Sequence, residues 1–135
     1  MADTLQLDLV SPERRLASVQ TPAVQIPGSD GDMTAMPGHA PTITTLRPGI
    51  LIIEGVGGAE TQTYLVTGGF ADVADQTATI LAEFAVPVAD VTNEMWDTMI
   101  FEATAKRDAA SDTTLDAEAK KLADLQAARD AIVKT

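Results

Sequence analysis

The sequence predicts a β + α protein, with an all-β domain over residues 1–88 and an antiparallel two-helix hairpin over residues 89–135. Three observations lead there. All 9 glycines and all 7 prolines lie at or before Pro87. Ahead of that point apolar and polar residues alternate in short runs, the period of half-buried strands. Beyond it apolar residues recur every three or four positions, the period of an amphipathic helix. Strands gathered first and helices gathered last indicate two successive parts, not an interleaved α/β sheet.

Leu5, Leu7 and Leu9 alternate with Gln6 and Asp8 to give the first strand, and Ser11-Pro12-Glu13 ends it. Val19 to Ile26 reads as a second strand, with Pro22 at an edge or bulge because proline has no N–H for a ladder. Pro27-Gly28-Ser29-Asp30-Gly31 is a turn with two glycines available for positive φ. Asp32 to Met36 and Thr42 to Leu46 are short strands around a Pro37-Gly38-His39-Ala40-Pro41 corner, and Arg47-Pro48-Gly49 is a further turn. Ile50 to Val56 and Thr61 to Thr67 pair as a hairpin across Gly57-Gly58-Ala59-Glu60. Gly68-Gly69 reads as a tight turn, and Phe70 to Ala74 with Thr77 to Phe84 as a last hairpin around Asp75-Gln76. So many short strands at close spacing indicate a sandwich or flattened barrel.

Asp90 or Thr92 caps the first helix, and Glu94 complements its positive end. Trp96, Met99, Ile100 and Ala103 share one face. Ala109 to Asp112 is the loop, and Thr113 caps the second helix, with Asp116 and Glu118 early and Lys134 late. Its stripe is Leu115, Ala119, Leu122, Leu125 or Gln126, and Ile132 or Val133. Alanines 103, 105, 119, 123, 127, 128 and 131 allow a close helix–helix approach. A short loop between amphipathic helices predicts an antiparallel pair.

Composition narrows the chemistry. Aromatics are 4% of residues, so the core is built from Val, Ile, Leu, Ala and Met. The formal charge of −11 disfavours nucleic acid and unaided binding to anionic lipid, since both need clustered cations. With no cysteine, disulfides, thiolate zinc sites and thiol catalysis are excluded. The start, MADTLQLDLV, has neither the basic head nor the apolar run of a signal peptide, and no stretch is long and apolar enough to insert directly into a membrane.

No enzyme motif emerges. His39 is the only histidine, and no serine sits in a nucleophile-elbow pattern. Its plain reading is a ring packed at the Pro37–Pro41 corner and hydrogen-bonded to a loop carbonyl. Asp30 and Asp32 bracket Gly31 like the start of a calcium loop, but the later oxygen ligands are missing. Gly55-Val56-Gly57-Gly58 and Thr67-Gly68-Gly69 lack the Lys-Ser/Thr ending of a phosphate loop. No cofactor and no metal is expected.

The order of the turns is the specific signal. Leu9-Val10-Ser11-Pro12-Glu13 precedes Pro27-Gly28-Ser29-Asp30-Gly31-Asp32, Met36-Pro37-Gly38-His39-Ala40-Pro41 and Leu46-Arg47-Pro48-Gly49, and later come Thr67-Gly68-Gly69-Phe70-Ala71-Asp72-Val73 and Thr79-Ile80-Leu81-Ala82. From residue 4 to about 88 this series resembles the epsilon subunit of bacterial F-type ATP synthases, the delta subunit of mitochondria. Beyond residue 88 the likeness is one of architecture, apart from Ala105-Lys106-Arg107. Val19 and Thr34 stand where glycines are common in the family.

The resemblance implies a flattened ten-stranded β-sandwich followed by the hairpin. It implies a non-catalytic rotor part in the central stalk of a rotary motor, coupling proton-driven rotation of the c-subunit ring to ATP synthesis. Its place would be peripheral, on the cytoplasmic face of the bacterial inner membrane. The partners would be the gamma subunit and the c ring, with the alpha/beta catalytic head reached through the hairpin. By matched position, Ser29, Asp30, Gly31 and Asp32 would meet the c ring, and His39, Ala40, Pro41 and Thr44 the gamma subunit. Some members bind ATP through a Leu/Ile-Asp-x-x-Arg-Ala motif. The match here is Trp96-Asp97-Thr98-Met99-Ile100-Phe101, which keeps Asp97 but has Ile100 in place of the arginine. Without that cation a triphosphate loses a main partner. One alternative is an autonomous inhibitor of hydrolysis working through an extended hairpin. The 6 basic against 10 acidic residues of segment 89–135 weaken it, because the resemblance implies an inhibitory contact that pairs basic helix residues with an acidic segment of beta. The other alternative, a small-ligand-binding sandwich, needs a convergent apolar pocket that no motif places.

Overall fold

The structure of the chain, a computed structural model, describes residues 4–133. Eight strands are followed by two helices: β1 (Leu5–Val10), β2 (Arg15–Thr21), β3 (Val24–Gly28), β4 (Gly31–Ala35), β5 (Thr42–Thr45), β6 (Gly49–Ile53), β7 (Gln62–Val73), β8 (Thr77–Pro87), α1 (Asn93–Asp108) and α2 (Leu115–Val133). The strand order is β2-β1-β8-β7-β6-β3-β4, with β5 also paired to β7. All pairs are antiparallel except β1 with β8.

Strands β7 and β8 are long enough to serve both layers. The first half of β7 pairs with β6, from Gln62 to Val66, and its second half with β5, from Phe70 to Val73. Counted by halves, these two long strands give the ten of the expected sandwich. The expected turn at Gly68-Gly69 is instead a bend within continuous β7. Both glycines have positive φ, +73° and +100°, so the chain swivels without reversing. The core-facing positions change parity there, from Tyr64 and Val66 to Ala71 and Val73. A side chain at Gly69 has no room, because its Cβ would lie 2.0 Å from the Leu81 carbonyl oxygen.

The expected strand from Val19 to Ile26 is two strands, broken at Pro22-Ala23. Thr21 is fully buried, yet its hydroxyl is satisfied. Its Oγ1 lies 2.8 Å from the carbonyl oxygens of Ala23 and Glu54 and accepts the Ala23 N–H at 3.2 Å. That local bonding bends the chain where Pro22 offers no ladder donor.

One core fills the sandwich. Leu5, Leu7 and Leu9 of β1 meet Val24 and Ile26 of β3, Leu51 and Ile53 of β6, and Val73 and Ile80, all at most 1% exposed. A second cluster docks the hairpin on the outer face of the sheet. Trp96 and Ala103 of α1 and Leu122, Leu125 and Ala128 of α2 pack with Leu65, Ile50 and Val86.

Thr92 is the cap of α1, its Oγ1 accepting the Met95 N–H at 3.1 Å. At the start of α2, Thr114 takes the place expected of Thr113, because its carbonyl accepts the Glu118 N–H at 3.0 Å. The α1 stripe is as expected, but α2 buries less. Leu115 is 44% exposed, Gln126 is exposed, and of the named alanines only 103 and 128 are buried, with 119 half-buried. Lys134 and the Val133 side chain lie outside the described residues.

Candidate functional site

The Ser29–Asp32 turn closes the β3–β4 hairpin, with Gly28 opposite Gly31. Its tip is exposed at Asp30, Gly31 and Asp32. The neighbouring strand end holds it: the Ser29 N–H donates to the Thr45 carbonyl at 2.9 Å, and the Thr45 hydroxyl donates to Ser29 Oγ at 2.8 Å. Asp32 is not a free carboxylate. It forms an ion pair with Arg47, whose Nε–H also donates to the Gly28 carbonyl at 3.1 Å.

The Pro37–Pro41 corner is tied to the β7–β8 hairpin by the Gly38 N–H, which donates to the Asp75 carbonyl at 2.7 Å. His39 Nδ1 lies 2.7 Å from the Ala40 carbonyl oxygen, a local contact of the kind the corner predicts. Pro41 and Ala40 are exposed. Strand β5 then runs from this corner to Thr45 and the Ser29 turn. The two candidate surfaces therefore sit at opposite ends of one short strand, three residue steps or about 10 Å apart. Within β5, Thr44 stands opposite buried Ala71 and faces Gly28, so it is half-buried. Its neighbours Ile43 and Thr45 take the outer face.

That outer face carries an apolar row which the sequence reading did not single out. Phe70 lies directly opposite both Thr45 and Leu81, and Leu81 lies opposite Val10. Ile43 stands one diagonal away, opposite Asp72. Ile43, Phe70 and Leu81 are 73%, 44% and 38% exposed, and Met36 beside the corner is 55% exposed. Directly opposed and diagonal side chains on one face reach each other, so Ile43, Phe70 and Leu81 form one surface. Alternation within β5 and β7 was a usable signal, but only once the pairing register was known.

Asp97, the position matched to a nucleotide motif, is bound to Arg129 of α2 at 3.0 Å. It does not line the cleft of about 730 Å³ between the hairpin and the sandwich. The charged side chains of that cleft balance, Arg47, Lys106, Lys120 and Lys121 against Glu83, Glu102, Glu118 and Asp124. Lys120 is already paired with Asp124 at 2.9 Å. Among the described residues no group of His, Asp and Glu has metal-binding geometry, and no helix is long and apolar enough to cross a membrane.

Comparison with known proteins agrees with this architecture. Residues 4–88 match the family described as "ATP synthase, Delta/Epsilon chain, beta-sandwich domain". An ATP synthase epsilon chain of Jannaschia sp. (strain CCS1) is 57% identical over 130 residues, covering 96% of this chain and 97% of that one. The epsilon chain of Rhodobacter capsulatus is 54% identical over 127 residues, covering 94% and 95%. A chain in a mitochondrial ATP synthase structure from Euglena gracilis (OSCP/F1/c-ring) superposes with a TM-score of 0.75 at 27% identity, over 96% of this chain and 81% of that one. A chain in the central stalk/c-ring structure from Tetrahymena thermophila shares the fold alone, with a TM-score of 0.57 at 19% identity, over 87% and 96%. On the turns, the sandwich and these relatives together, the chain belongs to the delta/epsilon chain family of ATP synthase.

Proposed function

We propose that this chain acts as a non-catalytic rotor subunit, with its sandwich clamped between the gamma subunit and the c ring and turning with both. The observation that carries this reading is the exposed row of Ile43, Phe70 and Leu81, three apolar side chains brought together on one face of the sandwich by strand pairing. An apolar patch rimmed by polar residues is characteristic of a protein-binding surface. It continues from the corner His39–Pro41 and ends beside the Ser29–Asp32 turn, so one edge of the domain serves two partners. Gamma takes the apolar row, and the ring takes the turn.

A sandwich suits the transmission of torque. Its ladders and packed core resist deformation together, whereas a loop would yield. On this reading the chain sits peripherally, on the cytoplasmic face of the bacterial inner membrane. The docked hairpin, the Asp97–Arg129 pair and the balanced charge of the cleft favour coupling over nucleotide sensing. Inhibition by an extended hairpin would first have to uncover Leu65, Ile50 and Trp96.

The test is Ile43→Arg. The side chain is mostly in solvent and Asp72 stands opposite, so the fold tolerates the change. Loss of a central apolar anchor costs about 2 kcal/mol, so binding to purified gamma should weaken roughly 30-fold. Wild-type affinity for gamma would place the gamma contact elsewhere.

A further inference from the structure

The turn read as facing the ring owes its shape to a residue outside it. The Arg47 backbone N–H donates to the Pro27 carbonyl at 3.0 Å, and its Nε–H donates to the Gly28 carbonyl at 3.1 Å. Its Nη2 pairs with Asp32 Oδ1. One residue thus holds the last two carbonyls of β3 and the first carboxylate of β4, on either side of the Ser29-Asp30 tip. The arginine side chain is 24% exposed and the aspartate 71%, so the cation is seated while the anion stays at the surface. Gly49 leaves the space for this arrangement. A Cβ there would lie 2.8 Å from Pro27 Cβ and 3.6 Å from Arg47 Nη1. Thr45, two residues before Arg47, holds Ser29 from the other side.

We propose that Arg47 is the positioning residue of the Ser29–Asp32 turn, fixing the shape and the charge pattern that the ring meets. The inference rests on the ring reading of that turn. Strand pairing and the core close the β3–β4 hairpin without Arg47, so the arginine acts on the tip and not on the fold. Its planar fork matters, because a lysine ammonium lacks the directional Nε–H that reaches Gly28 while a second nitrogen holds Asp32. The turn presents an ion pair in place of a bare carboxylate. A ring cation set opposite Asp32 must therefore compete with Arg47, and docking depends less on salt than an isolated charge would make it.

The experiment uses the full chain with Arg47→Ala, Arg47→Lys, Asp32→Ala and the double variant Asp32→Ala/Arg47→Ala. Hydrogen exchange at the Ser29 amide is read in the isolated chain, and proton-coupled ATP synthesis is read after assembly into membranes depleted of this subunit. Arg47→Ala should speed exchange at Ser29 about fivefold with the global unfolding midpoint unchanged, as expected for local opening. Arg47→Lys should fall between Arg47→Ala and the wild type. Coupled synthesis should fall with Arg47→Ala, and the double variant should be no worse than that single one, because both changes break one unit. Unchanged Ser29 exchange in Arg47→Ala overturns the clamp, and so do additive losses of synthesis in the double variant. Faster exchange with wild-type synthesis in every variant leaves the clamp standing and removes the ring reading beneath it.

Discussion

The sandwich and the hairpin are built on different principles. In the sandwich, register fixes the structure: Leu5, Leu7, Leu9, Val24, Leu51, Val73 and Ile80 are all without exposed surface, drawn from five strands and locked by ladders. In the hairpin, α1 and α2 bury Trp96, Ala103, Leu122, Leu125 and Ala128, while Phe101 is 75% exposed and Leu115 44%. Much of what the helices bury is supplied by the sheet, through Leu65, Ile50 and Val86. One region is thus held by its own interior, and the other by where it lies. A region of the first kind suits the transmission of force, and one of the second kind suits movement or removal. We infer that residues 1–88 and 89–135 are separable units.

The largest effect that sharpens this contrast is at the bend shared by the two layers. Gly69 has φ +100° and sits against the Leu81 carbonyl. Gly69→Ala adds backbone strain and a steric overlap at one point, so it should cost about 4 kcal/mol or more. The expected result is loss of the cooperative thermal transition of the sandwich in circular dichroism. A full-length Gly69→Ala chain with a wild-type midpoint would show that the sandwich is not held at this bend.

The second effect lies at the join. Trp96 is 2% exposed and belongs to the docking cluster. Trp96→Ala should cost about 3 kcal/mol, all of it in docking, and leave the sandwich folded. A chain ending at residue 88 should show the same sandwich transition. Trp96 lies beyond that cut, so circular dichroism is the suitable probe. If Trp96→Ala lowers the one transition of the whole chain as a core change would, the two regions are a single cooperative unit. In assembled membranes the shortened chain should keep ATP synthesis and raise hydrolysis only modestly, since the hairpin is net acidic. A large rise would restore the inhibitor reading.

What the sequence revealed follows the same divide. Local signals were legible: the Asp75-Gln76 hairpin, the Pro37–Pro41 corner and the Thr92 cap each depend on neighbours along the chain. Pairs that fold together from afar were not. Asp32 finds Arg47 fifteen positions on, and Asp97 finds Arg129 thirty-two positions on. Neither spacing has a period that a helix or strand would announce. The apolar row was hidden for a related reason. Ile43, Phe70 and Leu81 sit on three strands, and only pairing makes them neighbours. Val19 to Ile26 is apolar enough for one strand, but Pro22 lacks a ladder donor and the buried Thr21 hydroxyl turns the chain there. The buried stripe of α2 starts later than the apolar spacing suggests, because Leu115 at the helix start does not join the docking cluster.

The smallest effect concerns the latch within the hairpin. Asp97 and Arg129 join α1 to α2 at 3.0 Å, with side chains 70% and 28% exposed. An ion pair this open is worth ~0–1 kcal/mol, because water competes for both ends and salt screens them. Asp97→Asn should therefore leave both the sandwich and hairpin docking nearly unchanged, and the small loss should vanish at high salt. Ile100 stands one turn from Asp97, where the related motif has its arginine, so Arg129 is the cation that Asp97 meets here. Binding of ATP to the isolated chain, followed by calorimetry, should be undetectable in the wild type and in Asp97→Asn alike. Saturable binding that Asp97→Asn abolishes would mean that the carboxylate leaves Arg129 for a ligand, and the hairpin would then be a sensor as well as a docked appendage.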